Sequence, residues 1–365
     1  MTHLVHYRDL LTPFACAVLV ACSAPDTTAP NPANASDEPL AARSVTSASY
    51  TVTDLGVPAG FVNSVAYDVN DAGIVVGTIS GGTEWRGFAR LSGALVALTS
   101  TNTTSDALAV SNGSPVYVVG SVVENESTQP ARWTIMGTSV GQAEILPNPG
   151  YGKAGGVNDQ GDAVGGRTIW WNDEAVAPET VAPPGSFAQV ALTDINNANH
   201  VVFNATGSAS SLDRGFFRGT TGDPIELAPP ADMPTYYTVV DNMSDPDDGF
   251  VYVVGKVQVD EITCFPAMWT IDLANNTATV TVQSGNVGSA WGVSNAGTFA
   301  GHQGQRWSSK AYAWPLAGGT IALPVPKGGK NPHVRGMSPD GKLIVGSGEF
   351  SRGTRHALLW SGNGP

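Results

Sequence analysis

Ala66-Tyr67-Asp68-Val69-Asn70-Asp71-Ala72-Gly73-Ile74-Val75-Val76-Gly77 carries the architecture of this chain. It reads as a short strand ending in Asn, a Gly-containing turn, and an apolar, β-branched strand ending in Gly. The same unit returns at residues 154–165, 290–301 and 334–346, with weaker copies at 107–120, 191–203 and 239–255. The closing positions are Gly77, Gly120, Gly165, Phe203, Gly255, Gly301 and Gly346, spaced by 43, 45, 38, 52, 46 and 45 residues. That spacing is the length of a four-stranded propeller blade. Helical repeats of similar length would place apolar residues three and four apart, whereas these runs are short and broken by Gly and Asn every few residues.

Working outward, each unit continues into a third strand ending in an aromatic, as in Ala131-Arg132-Trp133, Pro266-Ala267-Met268-Trp269 and His356-Ala357-Leu358-Leu359-Trp360. A fourth strand follows, as in Ala94-Leu95-Val96-Ala97-Leu98 or Thr320-Ile321-Ala322-Leu323. The seventh unit lacks one, and Tyr50-Thr51-Val52-Thr53-Asp54-Leu55 is a spare strand at the other end. The expectation is an all-β, seven-bladed β-propeller with four strands per blade, its last blade closed by the N-terminal strand. Such closure removes edges that would otherwise pair with other chains. Small residues in the first strands (Gly155, Gly156, Gly292, Gly336) suit crowding near the axis, and the third-strand Trp residues are expected to pack between blades.

The pattern Ala-x-x-Val-Asn-Asp-x-Gly-x-x-Val-Gly, followed by a His-Ala-Phe-like strand, resembles the extracellular HAF-repeat family of bacteria. The naming tripeptide stands here as His356-Ala357-Leu358, Lys310-Ala311-Tyr312 and Gly87-Phe88-Ala89, and Thr53-Asp54-Leu55-Gly56 is similar to the strand that ends those repeats. The likeness covers about residues 50–360, and blades four and five depart most, with Phe203 for Gly and an insertion at 241–250. It implies secretion and a propeller; it implies no established chemistry, so no catalytic residue carries over.

The N-terminus speaks to location. Residues 10–21 (LLTPFACAVLVA) are too short to span a bilayer but long enough for a signal-peptide core. They end in Leu19-Val20-Ala21-Cys22, which resembles the lipobox of bacterial lipoproteins and implies a lipid on Cys22. A plain secretory signal with an incidental cysteine is the competing reading. Residues 1–21 are thus read as signal peptide, 22–49 as a disordered Ala/Pro/Ser/Thr-rich tether, and 50–365 as the propeller. The expected location is the bacterial cell envelope, lipid-anchored, or secreted. Because Ser23 rather than Asp follows the cysteine, the outer membrane is favoured over the inner.

A net charge of −13 argues against a nucleic-acid partner, since there is no basic stripe to neutralise phosphates. Cys264 reads as a small thiol in the core rather than a nucleophile. No Gly-x-Ser-x-Gly elbow, phosphate-cradling loop or metal-ligand spacing stands out. The expectation is therefore no cofactor and no metal, although His302, His333 and His356 fall in the last two blades. The acidic run 241–249 lacks the register of a calcium loop and reads as an exposed hairpin insertion. Candidate binding residues are the aromatic and Arg side chains of loops joining second and third strands: Trp85, Arg86, His302, Arg306, Trp307, Phe350 and Arg352. They suit a glycan or acidic peptide, against the alternative of an ordinary solvated rim.

These features favour a monomeric binding or interaction module of unknown ligand, tethered to the membrane. The alternative is an extracytoplasmic hydrolase or lyase acting on a glycan or peptide, using carboxylates or histidines at the axis. Convergent carboxylates or His about 5–10 Å apart would favour the enzyme.

Overall fold

A computed structural model describes residues 49–363, apart from 83, 99–103, 148–151, 208–211, 261, 286 and 305–307. The chain is a seven-bladed β-propeller. Seven antiparallel sheets follow one another along the sequence. In blade 1 the order from the axis outward is Asn63–Val69, Val75–Gly81, Glu84–Leu91 and Ala94–Ala97. Blades 2 to 6 repeat it with first strands Ser105–Val110, Gly156–Val157, Gln189–Ile195, Tyr237–Met243 and Gly288–Val293. The outer edge of blade 2 is split into Ser139–Val140 and Glu144–Ile145.

Blade 7 is composite. Lys330–Met337, Leu343–Glu349 and Arg355–Gly362 come from the end of the chain, and Tyr50–Gly56 completes the sheet by pairing antiparallel to Arg355–Gly362. The Tyr50 hydroxyl donates to Gly341 O at 2.8 Å, and Tyr50 packs in one cluster with Trp360.

The core consists of seven apolar clusters, and each straddles a pair of neighbouring blades. Leu91 and Leu98 of blade 1 meet Val122 and Trp133 of blade 2, and so on round to Val345 and Leu359 of blade 7 against Ala66 and Phe88 of blade 1. Trp133, Trp170, Trp269, Trp314 and Trp360 are fully buried there, as expected of third-strand aromatics. The indole N–H groups of Trp170, Trp269 and Trp360 donate to Pro147, Ala228 and Pro324 O, each just beyond the outer strand of the preceding blade. Apolar burial and a satisfied polar handle thus act together at one residue.

The closing glycines have a steric reason. A Cβ on Gly77, Gly120, Gly165, Gly255, Gly301 or Gly346 would run into a carbonyl oxygen of the adjacent inner strand: Val65, Asp106, Lys153, Val239, Ser289 or His333 respectively. The turn glycines Gly73, Gly161, Gly297 and Gly341 all have positive φ, and blade 4 places Asn199 in the same region, as these turns require.

Candidate functional site

In every blade the innermost strand carries a β-bulge at the same point. Pairing slips between Ala66 and Asp68, Ala107 and Ala109, Leu192 and Asp194, Val240 and Asn242, Ala290 and Gly292, and Val334 and Gly336. In blade 3 both Gly155 and Gly156 oppose Val164. A bulge interrupts the alternation of faces and re-aims one side chain. The bulged residues are Tyr67, Leu108, Gly155, Thr193, Asp241, Trp291 and Arg335.

All but Thr193 line an axial cavity of about 280 Å³. Its walls are unequal. Blades 5, 6, 7 and 1 contribute Asp241, Trp291, Arg335 and Tyr67, whereas blades 2 and 3 contribute Leu108 and Gly155. The Arg335 guanidinium lies 4.7 Å from the centroid of the Trp291 ring and 6.0 Å from that of Tyr67. Arg335 Nε and Trp291 Nε1 are buried atoms without a hydrogen-bond partner. Among the described residues, no carboxylate forms an ion pair with Arg335. Burial pushes the Asp241 carboxyl up to about 6 despite the pull of Lys256 and Arg335.

In blades 1 and 4 the residue after the bulge is an aspartate that reaches the next blade. Asp68 Oδ1 accepts from its neighbour Val69 N and Oδ2 from Val110 N of blade 2. Asp194 does the same with Ile195 N and Met243 N of blade 5. Burial pushes these carboxyls up to about 7 and about 8, against the N–H donors that favour the charged form. Both oxygens of each are occupied, so these two acids are blade clips.

Three residues further on, a closed circuit of hydrogen bonds runs round the axis. The backbone N–H of Asp71 donates to Asn112 Oδ1 (2.8 Å), Asn112 N to Asp159 Oδ1 (2.6 Å), and Asp159 N to Asn197 Oδ1 (2.7 Å). Asn197 N donates to Asp245 Oδ1 (2.8 Å) and Asp245 N to Asn295 Oδ1 (3.0 Å). Asn295 N then reaches Pro339 O (2.8 Å), and Asp340 N closes the circuit on Asp71 Oδ1 (2.9 Å). Proline has no N–H, so the next residue donates in its place. Acid and amide alternate from Asp71 to Asn295, and amide N–H groups join the carboxylates: Asn112 to Asp71 (2.7 Å), Asn197 to both Asp159 and Asp245 (3.0 Å each). The run 241–249 is therefore only partly an exposed hairpin. Asp241 to Asp245 form blade 5's copy of the bulge and the circuit, and only the segment beyond them projects.

The residues singled out from the sequence lie elsewhere. Trp85 and Arg86 sit in the third strand of blade 1; Trp85 is exposed, and Arg86 Nη2 is 3.5 Å from Glu84. Phe350 stacks on His356 at 4.1 Å, and His356 Nδ1 lies 2.9 Å from Asp54 Oδ2. Arg352 belongs to a short 3-10 turn, Ser351–Gly353. Arg306, Trp307 and Cys22 lie outside the described residues. Of the three histidines, His302 and His333 converge, their ring centroids 4.5 Å apart, while His356 does not join them. Burial pushes this pair down to about 3 and about 4, which keeps both rings neutral near pH 7. The Cys264 thiol is half-buried, 4.0 Å from Ser289 Oγ. Among the described residues no cluster of three or more potential ligands could hold a metal.

No protein-family model and no curated protein matches the chain. Among solved structures it is similar to a streptogramin B lyase, with a TM-score of 0.50 and 11% identity over 86% of this chain and 98% of the other. Virginiamycin B lyase from Staphylococcus aureus gives 0.51 and 14% over 86% and 99%. A prolyl endopeptidase gives 0.53 and 12% over 82% of this chain, which spans only 47% of that one. At such identities the likeness carries the propeller fold and nothing of the chemistry.

Proposed function

We propose that this propeller is a binding module of the cell envelope whose ligand seats in the axial cavity. One observation carries the reading: Tyr67, Asp241, Trp291 and Arg335 line one wall of that cavity, and Trp291 Nε1 and Arg335 Nε are buried there without any protein partner. Buried donors normally find partners, so unmatched ones facing a cavity mark a place for a ligand. The hydrolase or lyase alternative needs at least two free acid–base groups. Of the acids lining the cavity, Asp68 and Asp194 are taken up by backbone N–H groups and Asp159 and Asp245 by the circuit, while the edge-to-face His302–His333 pair lies outside the lining; this leaves Asp241 and favours binding. The resemblance to HAF repeats and the lipobox ending in Cys22 support a lipid-anchored, extracytoplasmic location, with the outer membrane favoured.

Gly155→Leu tests the site. A Cβ there meets only Thr193 O at 3.4 Å, and Leu108 stands at the same point of blade 2, so the variant fills the cavity without burdening the fold. A thermal-shift panel of simple sugars, sugar acids and acylated amino acids should give saturable stabilisation in the wild type that Gly155→Leu abolishes. Stabilisation that survives the substitution, or none from any compound, overturns the axial site. Separately, Cys22→Ala should move the protein from the membrane to a soluble fraction; retention would refute the lipid anchor.

A further inference from the structure

We infer that the ligand of the axial cavity presents a carboxylate to the edge of Arg335, on a body no larger than one acidic sugar or one acylated amino acid; this rests on the reading of the cavity as a ligand site. The Arg335 guanidinium lies over the Trp291 ring of blade 6 at 4.7 Å and over the Tyr67 ring of blade 1 at 6.0 Å. The aromatic neighbours meet the cation through their rings and accept none of its N–H groups, so its fork of donors is still open to hydrogen bonding. That fork matches a carboxylate in two parallel bonds. No Asp or Glu among the described residues fills this role, and Trp291 Nε1–H stands beside it as a further unpaired donor.

The rest of the cavity limits the ligand. Its volume of about 280 Å³ lies near the lower end for small-molecule sites. Opposite the Arg335 wall, Gly155 leaves room for the body of the ligand. Asp241 and the Tyr67 hydroxyl can receive hydroxyl or amide N–H groups from it. The lining also includes Asp159 and Asp245 of the hydrogen-bonded circuit, whose negative charge disfavours a phosphate or a polyanion and tolerates one carboxylate paired with Arg335.

The test is isothermal titration of full-length wild type with two acid/neutral pairs: D-glucuronate against D-glucose, and N-acetyl-L-alanine against its amide. At least one acid is expected to bind saturably, with its neutral partner about tenfold weaker or worse. The pair that responds tells a sugar acid from an amino-acid carboxylate. Arg335→Lys keeps the charge but loses the fork and should weaken the acid, and Arg335→Met should abolish it, with circular dichroism confirming that both variants fold. Equal binding of acid and neutral partner, lost in Gly155→Leu, would keep the cavity as a site and overturn the carboxylate assignment. Acid binding that persists in Gly155→Leu, or no binding of either acid, overturns it as well. The wild-type acid/neutral comparison decides the matter even if an Arg335 variant fails to fold.

Discussion

Replacing Asn197 by Asp changes one nitrogen to one oxygen in the circuit round the axis, and its cost follows from the contacts. Asn197 Nδ2 donates to carboxylate oxygens of Asp159 and Asp245, each at 3.0 Å. In Asn197→Asp both attractions become repulsions between like charges, while the new carboxylate can still accept from Asp159 N. Coulomb's law at 3 Å with an effective dielectric of 20 gives about 5 kcal/mol per pair, and the half-buried, solvent-reached position cuts that to about 1–2 kcal/mol each. Losing two charge-assisted hydrogen bonds at such a site adds about 1 kcal/mol each. The total is about 4–6 kcal/mol, a large share of a typical folding stability of about 5–15 kcal/mol. Asn197→Ala removes the same bonds and orphans Asp159 N but adds no repulsion, for about 2–3 kcal/mol.

Urea unfolding followed by Trp fluorescence, with midpoints compared at constant slope, reads both variants. At pH 7 the Asp variant should be less stable than the Ala variant, and 1 M salt should narrow the gap by screening. At pH 3 the order should reverse, because a protonated carboxyl at 197 both donates and accepts. An Asp variant within about 0.5 kcal/mol of wild type at pH 7, the range of an ordinary surface change, would refute the account of alternating acid and amide.

Three further outcomes are expected. Deleting residues 49–56 strips the outer strand from blade 7 and uncovers the cluster around Trp360, so the whole propeller should melt at lower temperature in one transition; unchanged melting would refute ring closure. Gly255→Ala drives a Cβ into Val239 O and should cost about 2–4 kcal/mol by denaturant unfolding, whereas Gly155→Ala should cost less than about 1 kcal/mol. Stability should also fall between pH 6.5 and 8.5. Asp68 and Asp194 hold their protons up to about 7 and about 8 in the native state, so the native state binds more protons than the unfolded chain there, and rising pH favours unfolding. His302 and His333, held low, oppose this only below about 6.5, where unfolded histidine takes up a proton. Because the two acids border a cavity that admits water, the expected loss is about 1–3 kcal/mol; a flat or rising midpoint over that window would overturn it.

The blade count was legible because closing glycines, turns and third-strand aromatics recur as residue types, and each answers a local demand: no room for a Cβ, a left-handed turn, a gap between blades. The fourth strand of blade 7 was legible as a remainder, Tyr50 to Leu55 being a strand without a sheet. The axial wall was not. Reading strands by strict alternation misplaces Tyr67, Asp241, Trp291 and Arg335, because a bulge shifts the facing of residues by one, and a bulge depends on the partner strand. A trace existed all the same. Aligned unit by unit, the column holding Tyr67, Leu108, Gly155, Thr193, Asp241, Trp291 and Arg335 varies without rule between more uniform neighbours, as a position free of packing duties would. The circuit of Asp71, Asn112, Asp159, Asn197, Asp245 and Asn295 was visible only as turn residues, since its bonds join positions about 40–50 residues apart.

The composite seventh blade has a kinetic consequence. Thr51 bonds to Ser361, 310 residues later in sequence, so this sheet cannot be completed until nearly the whole polypeptide is available. Each earlier sheet assembles from residues close in sequence, but the last joining step pays the loop-closure entropy of the entire chain. Until then the outward apolar sides of the first and last sheets stay open to pairing with other copies. Slow, concentration-sensitive refolding is the expected signature, and a circular permutant that makes all four strands of that sheet contiguous should refold faster at unchanged final stability.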